Sequence, residues 1–212
     1  MKGITFGSLH SYRDLQLILT SKEIGSPAVK ERKIDIEGGD GSLDLTDFFG
    51  EAKYENVTHK FQFSTIVPKA QFLSAFTTVK NALHGKKMRI ILDDDPFFYY
   101  LGRIHVSSFT SEKNVGSISI ECDCEPFKYK LQPTSRKVTV NGTQAIILTN
   151  GRKRAVPEIT TTATMTIVFD SWSISRNAGT FIIPELELKE GENTVTVIGT
   201  GAITFTWQEG DL

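Results

Sequence analysis

The chain has 212 residues, 24 basic and 25 acidic side chains for a net charge of −1, and 39% hydrophobic and 23% charged residues. That is the make-up of an ordinary globular protein with room for one large or two small domains. The charges balance on both sides of Pro133, so neither half carries the basic excess of a phosphate-tracking nucleic-acid binder or a polybasic membrane anchor. The opening Gly3-Ile4-Thr5-Phe6-Gly7 lacks the apolar stretch of a secretory leader, and the apolar run Phe97–Leu101 falls far short of the about 20 residues a membrane-spanning helix needs. The expectation is a protein with no nucleic-acid-specific binding and no membrane segment.

Short alternating runs rich in Thr, Val, Ile and Phe, punctuated by Gly, Asn-Gly and Pro, predict a mainly β chain. The run 29–36 ends in Glu37-Gly38-Gly39-Asp40-Gly41, whose glycines suit a tight turn, so the chain reverses there. Between Pro68 and His84 the period changes: Phe72, Leu73, Phe76, Val79 and Leu83 line one face of a helix, with Pro68 in its first turn and Gly85 just past its end. The apolar stripe should lie on the strands at 60–66 and 88–92. A β-hairpin follows, Met88–Leu92 and Phe97–Val106 around the turn Asp93-Asp94-Asp95-Pro96, with a further strand at 115–122. Cys122 and Cys124 share one face of that strand, too far apart for an unstrained disulfide, and read as two half-buried free thiols. Pro126 and Pro133 interrupt the strand pattern, so the stretch 126–136 is read as a connector between domains at 1–132 and 133–212. The second part shows hairpin turns at Asn141-Gly142 and Asn150-Gly151 and strands near 158–169, 172–175, 180–183, 194–198 and 203–207, enough for a small β-sandwich.

No catalytic constellation emerges. All four histidines lie before residue 106, and there is no Gly-x-Ser-x-Gly turn, no phosphate-cradling glycine loop and no paired metal-ligand spacing. The expectation is therefore no catalytic residue, no cofactor and no metal. Asp93-Asp94-Asp95 is the best enzyme candidate, since clustered carboxylates hold Mg²⁺ or Ca²⁺; the competing reading, a hairpin tip in which Asp side chains bond their own backbone, is preferred. The run Phe97-Phe98-Tyr99-Tyr100, with Trp172 and Trp207, reads as core packing or subunit contact before sugar stacking.

The residues resemble the distal tail (Dit) proteins of siphophages and related prophage tail components, along nearly the whole chain. The resemblance rests on Ile4-Thr5-Phe6-Gly7 with Leu15-Gln16-Leu17, and on Gly38-Gly39-Asp40-Gly41-Ser42-Leu43-Asp44-Leu45-Thr46 followed by Tyr54-Glu55-Asn56. There Gly39 stands where the family commonly has Arg, and Val57 where Arg is expected. It rests further on Leu83-His84-Gly85-Lys86, Asp93-Asp94-Asp95-Pro96, Tyr99-Tyr100, Gly102-Arg103-Ile104, and Cys122-Asp123-Cys124-Glu125-Pro126-Phe127-Lys128. In the second part it rests on Asn150-Gly151, Val156-Pro157-Glu158-Ile159 and the stretch from Leu186 through Glu190-Gly191-Glu192-Asn193 to Val195.

The resemblance implies a β-barrel-like first domain carrying one helix, a galectin-like second β-sandwich, and a structural, non-enzymatic role. It implies a baseplate hub: a hexameric ring in the virion tail that joins the tail tube protein to a hub, lysin or receptor-binding protein. Such a protein is made in the host bacterial cytoplasm. The ring interface is assigned to Phe97, Phe98, Tyr99 and Tyr100, of which alternation should send one pair inward and leave the other at a neighbour. The rival reading is a carbohydrate-binding module that recognises host cell-wall glycans through the C-terminal sandwich.

Overall fold

The protein is described by a computed structural model covering residues 2–48 and 50–212. It divides into two compact units, Met1–Pro126 with Leu212, and Phe127–Asp211. The first holds strands β1 (Ile4–Phe6), β2 (Leu9–His10), β3 (Leu17–Glu23), β4 (Lys33–Asp35), β5 (Ser42–Asp44), β6 (Val57–Thr65), β7 (Lys87–Leu92) and β8 (Phe98–Glu112), with helix α1 (Phe72–Leu83) after a 3-10 turn at Lys69–Gln71. Strand β9 (Val115–Lys130) contains the division between the units.

The main sheet of the first unit runs β2-β1-β7-β8-β9-β6-β3 and curls as a half-barrel. Alternation builds its core. In β6, Val57, His59, Phe61, Phe63 and Thr65 are buried while Thr58, Lys60 and Gln62 face solvent, and β9 opposes them with Ile118, Ile120, Cys122 and Cys124. Phe6 meets Phe61 and Phe63 edge-on, with ring centroids 6.3 and 6.2 Å away. Val79 and Leu83 of α1 join this core, Phe72 is buried, and Phe76 stacks on Phe109 at 5.4 Å. Leu73 departs from the expected stripe and is exposed, because it sits on the flank of the face that the other four residues define. The helix ends as anticipated. Gly85 takes φ +79°, and Lys86 Nζ donates to the free carbonyls of Asn81 (3.1 Å) and Ala82 (2.7 Å), where a cation suits the helix dipole.

Pro126 does not interrupt β9. The last β6 pairing is Val57 with Cys124, so the N–H that proline lacks costs no bond on that side. The reading of 126–136 as a connector is corrected accordingly: 126–130 continue β9, with Lys128 and Tyr129 paired to β16 (Gly210–Asp211), and only 131–133 lie between strands.

The second unit contains β10 (Thr134–Asn150), β11 (Glu158–Thr161), β12 (Met165–Phe169), β13 (Trp172–Arg176), β14 (Gly179–Ile182), β15 (Gly191–Trp207) and β16. Here the sequence reading is corrected three times. Asn141-Gly142 is no hairpin turn, and the two strands expected at 194–198 and 203–207 are one. β10 and β15 pair without a break from Thr134–Trp207 to Asn150–Gly191. The ribbon bends where Gly142 (φ +84°) faces Gly199 (φ +151°); a Cβ on Gly199 would sit 3.0 Å from Met165 Cγ and 3.1 Å from Thr164 O. On one side of the bend β15 pairs β12, which carries β13; on the other it pairs β11, which carries β14. Both halves share one core: Ile146, Leu148, Ile167, Val195 and Val197 meet Val140, Ile159, Ile203, Phe205 and Trp207. Asn150-Gly151 ends β10 but closes no hairpin, since β11 pairs with β15 and β14.

Candidate functional site

The acidic turn is a fastening point. Asp93 Oδ2 accepts the Gly3 N–H (2.7 Å) and lies 3.0 Å from His10 Nε2. The other ring nitrogen of His10 accepts the backbone N–H groups of Tyr12 and Arg13, each at 3.2 Å. A nitrogen that accepts cannot carry the proton, so Nε2 carries it and donates to Asp93. Burial pushes the Asp93 pKa up, but the hydrogen bonds from His10 and Gly3 and the nearby charges outweigh it and hold the carboxyl below its ordinary range. Asp94 forms an ion pair with Lys22, whose hydrogen bond lowers its pKa. Asp95 shapes the turn, its N–H donating to Leu92 O (3.0 Å) and its C=O accepting from Phe98 N–H (3.2 Å), with Pro96 between. A cleft of about 350 Å³ lined by His10, Tyr12, Arg13 and Asp93 lies beside this cluster. Both imidazole nitrogens there are committed to these bonds. Sequence reading placed the turn but missed His10, Gly3 and Lys22, which lie 70 or more positions away and carry no local signal.

The aromatic run is split by the strand. Phe97, in the turn, is 76% exposed, and Phe98 is half-buried. Tyr99 is buried, with the Arg89 guanidinium 4.5 Å from its ring centroid. Tyr100 points the other way, into the core, edge-on to His59 at 4.4 Å. Both cysteines, expected half-buried, are fully buried and unbonded. Burial, helped by the charges of Asp123 and Glu125, pushes the Cys124 thiol up to about 12, and burial pushes Cys122 up as well. Neither is a thiolate at neutral pH. A thiol reagent at pH 7.5 should leave the folded protein unmodified over hours and titrate two thiols once it is denatured without reductant; rapid labelling of the folded chain would overturn this placement.

Residues 24–56, apart from Phe49 outside the described residues, form an arm between β3 and β6. Its β4–β5 hairpin is a two-stranded sheet separate from the main one, with Gly38, Gly39, Asp40 and Gly41 at its tip. Ile34 pairs with Leu43 across the hairpin, and Ile34, Ile36 and Leu43 are each more than half exposed. That is a row of apolar side chains with nothing covering it within the described chain. Sequence reading found the turn but not the arm.

In the second unit the motif asparagines hold the loops at the far end of the ribbon. Asn193 accepts the Lys189 N–H at 2.9 Å, and its amide donates to the carbonyls of Leu148 (3.3 Å), Lys189 (2.8 Å) and Gly191 (3.1 Å). The Asn150 amide donates to Lys153 O (2.9 Å) and Leu188 O (3.2 Å). Trp207 is buried, and Trp172 leans edge-on against Phe169 at 6.1 Å.

No protein-family model and no curated protein matches the sequence. Among solved structures, the chain is similar to the Dit protein (gp 19.1) of SPP1, described as a paradigm of the hub adsorption apparatus in phages infecting Gram-positive bacteria. The likeness has a TM-score of 0.77 at 13% identity and covers 100% of each chain. From end to end, therefore, this chain has a Dit-like fold, mainly β with one helix.

Proposed function

We propose that the protein is a Dit-type tail hub: a structural protein of a siphophage or prophage tail, six copies of which close a ring joining the tail tube to a receptor-binding or lysin-bearing apparatus. The observation that carries this reading is the fold likeness over the full length of both chains. The arm and the turn support it. A head-to-tail ring needs two different complementary patches on every copy, and the apolar row Ile34, Ile36, Leu43 with the exposed Phe97 supplies candidates for both. Of the aromatic run, Phe97 is then the ring that reaches a neighbour, while Phe98, Tyr99 and Tyr100 support it from the strand. The second unit is read as galectin-like. Manufacture in the host bacterial cytoplasm fits the two unbonded cysteines. A glycan-binding role for that unit has less support, since Trp207 is packed in its core and Trp172 against Phe169.

Light scattering on the purified chain should give about six times its 23.6 kDa mass, alone at high concentration or with the tube protein added. Phe97→Asp should shift the particle toward the monomer without lowering its melting temperature, because the ring is already exposed in the single chain. A stable monomer under all these conditions that binds a purified cell-wall glycan would overturn the hub reading.

A further inference from the structure

The arm is tied down at its root by a histidine. β3 ends at Glu23, and two residues on the Gly25 N–H donates to His59 Nδ1 of β6 at 3.2 Å. The backbone is seated hard against β6 there: a Cβ on Gly25 would lie 2.8 Å from both Thr58 O and Val57 Cγ2. Because Nδ1 accepts, His59 is neutral with its proton on Nε2. It is 1% exposed, and Nε2 is buried without a hydrogen-bond partner. We propose that His59 is an acid-sensitive latch on the arm: neutral, it holds the arm's root against β6; protonated, it releases it.

The surroundings leave an imidazolium no support. From β8 the Tyr100 ring meets it at 4.4 Å in a T-shaped contact, from β9 Cys122 is its cross-strand partner, and Cys124 lies two residues further along the same face, both thiols being held protonated by burial. Lys60, Glu121, Asp123 and Glu23 occupy the alternate positions whose side chains face away, with Lys60 3.7 Å from Glu23 there; Lys22 of β3, opposite Phe61, shares the His59 face, but its ammonium is paired with Asp94. Protonation by solvent puts a second N–H where Nδ1 accepted one, so two donors face each other and the bond to Gly25 is lost. Burial lowers the pKa of His59 from its ordinary value of 6.5. A lowered pKa means that the stabilisation is whole above 6.5 and is lost as the pH falls through the lower, folded value. His10 and His84 also accept backbone N–H groups through Nδ1, from Tyr12 and Arg13 and from Val106, but they sit at other seams and would loosen other segments.

The test is hydrogen exchange on the full chain between pH 7.5 and 5.0, corrected for the intrinsic pH dependence of exchange. In the wild type, protection of residues 24–26 should fall by up to about tenfold per pH unit as the pH drops from 6.5 toward the His59 midpoint and level off below it, while β6 and β9 stay protected. His59→Asn places an amide oxygen where Nδ1 was and cannot titrate, so its arm root should hold constant protection across the range. Unchanged wild-type protection down to pH 5.0, or an equal loss in His59→Asn, would overturn the latch. Should that variant not fold, imidazole ¹⁵N resonances of the wild type decide: a His59 midpoint that coincides with opening of the root supports the proposal, and one that does not refutes it. The latch concerns this chain alone and stands or falls separately from the ring.

Discussion

Gly102→Ala is expected to destabilise the first unit by about 3 kcal/mol, at the upper end of what overpacking a tight interior costs. Gly102 lies in β8 beside Cys124 of β9, so close that a Cβ would sit 2.5 Å from the Cys124 sulfur, 2.8 Å from Asp123 O and 3.0 Å from Cys124 Cα. The sulfur can be removed by Cys124→Ala, but the two backbone atoms cannot move without dragging β9. In a double-mutant cycle Cys124→Ala should therefore recover about 1 kcal/mol of the loss, a coupling typical of residues in contact, and no more. Urea unfolding reads this as a lowered midpoint at constant slope. A midpoint within error of wild type would mean that the two strands are further apart than described.

Asn193→Ala should cost the second unit about 3 kcal/mol. Four hydrogen bonds go with the side chain, each worth about 0.5–1.5 kcal/mol net, and the carbonyl of Leu148 is left without that donor. For a unit of this size that corresponds to a fall of more than about 10 °C in the melting transition that carries it. Asn193→Asp is the sharper probe. It keeps an acceptor for the Lys189 N–H but turns an oxygen toward three carbonyls, so its loss should equal or exceed that of alanine. A neutral Asn193→Asp would show that the side chain holds only the Lys189 amide.

Local chemistry was legible in the sequence, and distant pairing was not. The helix could be read because Phe72, Phe76, Val79 and Leu83 recur at its own period and Gly85 marks its exit, all within one segment. The turn at Asp93-Asp94-Asp95 was visible for the same reason, but its partners His10 and Lys22 come from strands that only the folded sheet brings alongside. Asn141-Gly142 misled because the pair that makes a two-residue turn also makes a bend, and the choice between them is settled by Gly199, 57 positions later. Pro126 misled in the same way: a proline ends a strand only where a neighbour needs its N–H, and the neighbour's extent is not written nearby. Of the ring-forming candidates, Phe97 to Tyr100 could be found as a hydrophobic surplus. Which ring stays outside depends on Arg89 of β7 and His59 of β6, which meet Tyr99 and Tyr100.

The long ribbon of the second unit also sets a timetable for synthesis. Thr134 pairs with Trp207, so the first residues of β10 wait for a partner 73 positions downstream, about 4–15 s at translation rates of 5–20 residues per second. β11 and β12 wait as well, since each is joined to the sheet through β15. The first unit has all its strands by Pro126 and can fold while the rest is still emerging. Meanwhile Thr143-Gln144-Ala145-Ile146-Ile147-Leu148-Thr149-Asn150, uncharged and free of proline, stands unpaired beside the ribosome. Segments of that kind are the ones that pair with copies of themselves on neighbouring nascent chains. Crowding during translation is a point at which this fold is exposed to misassembly.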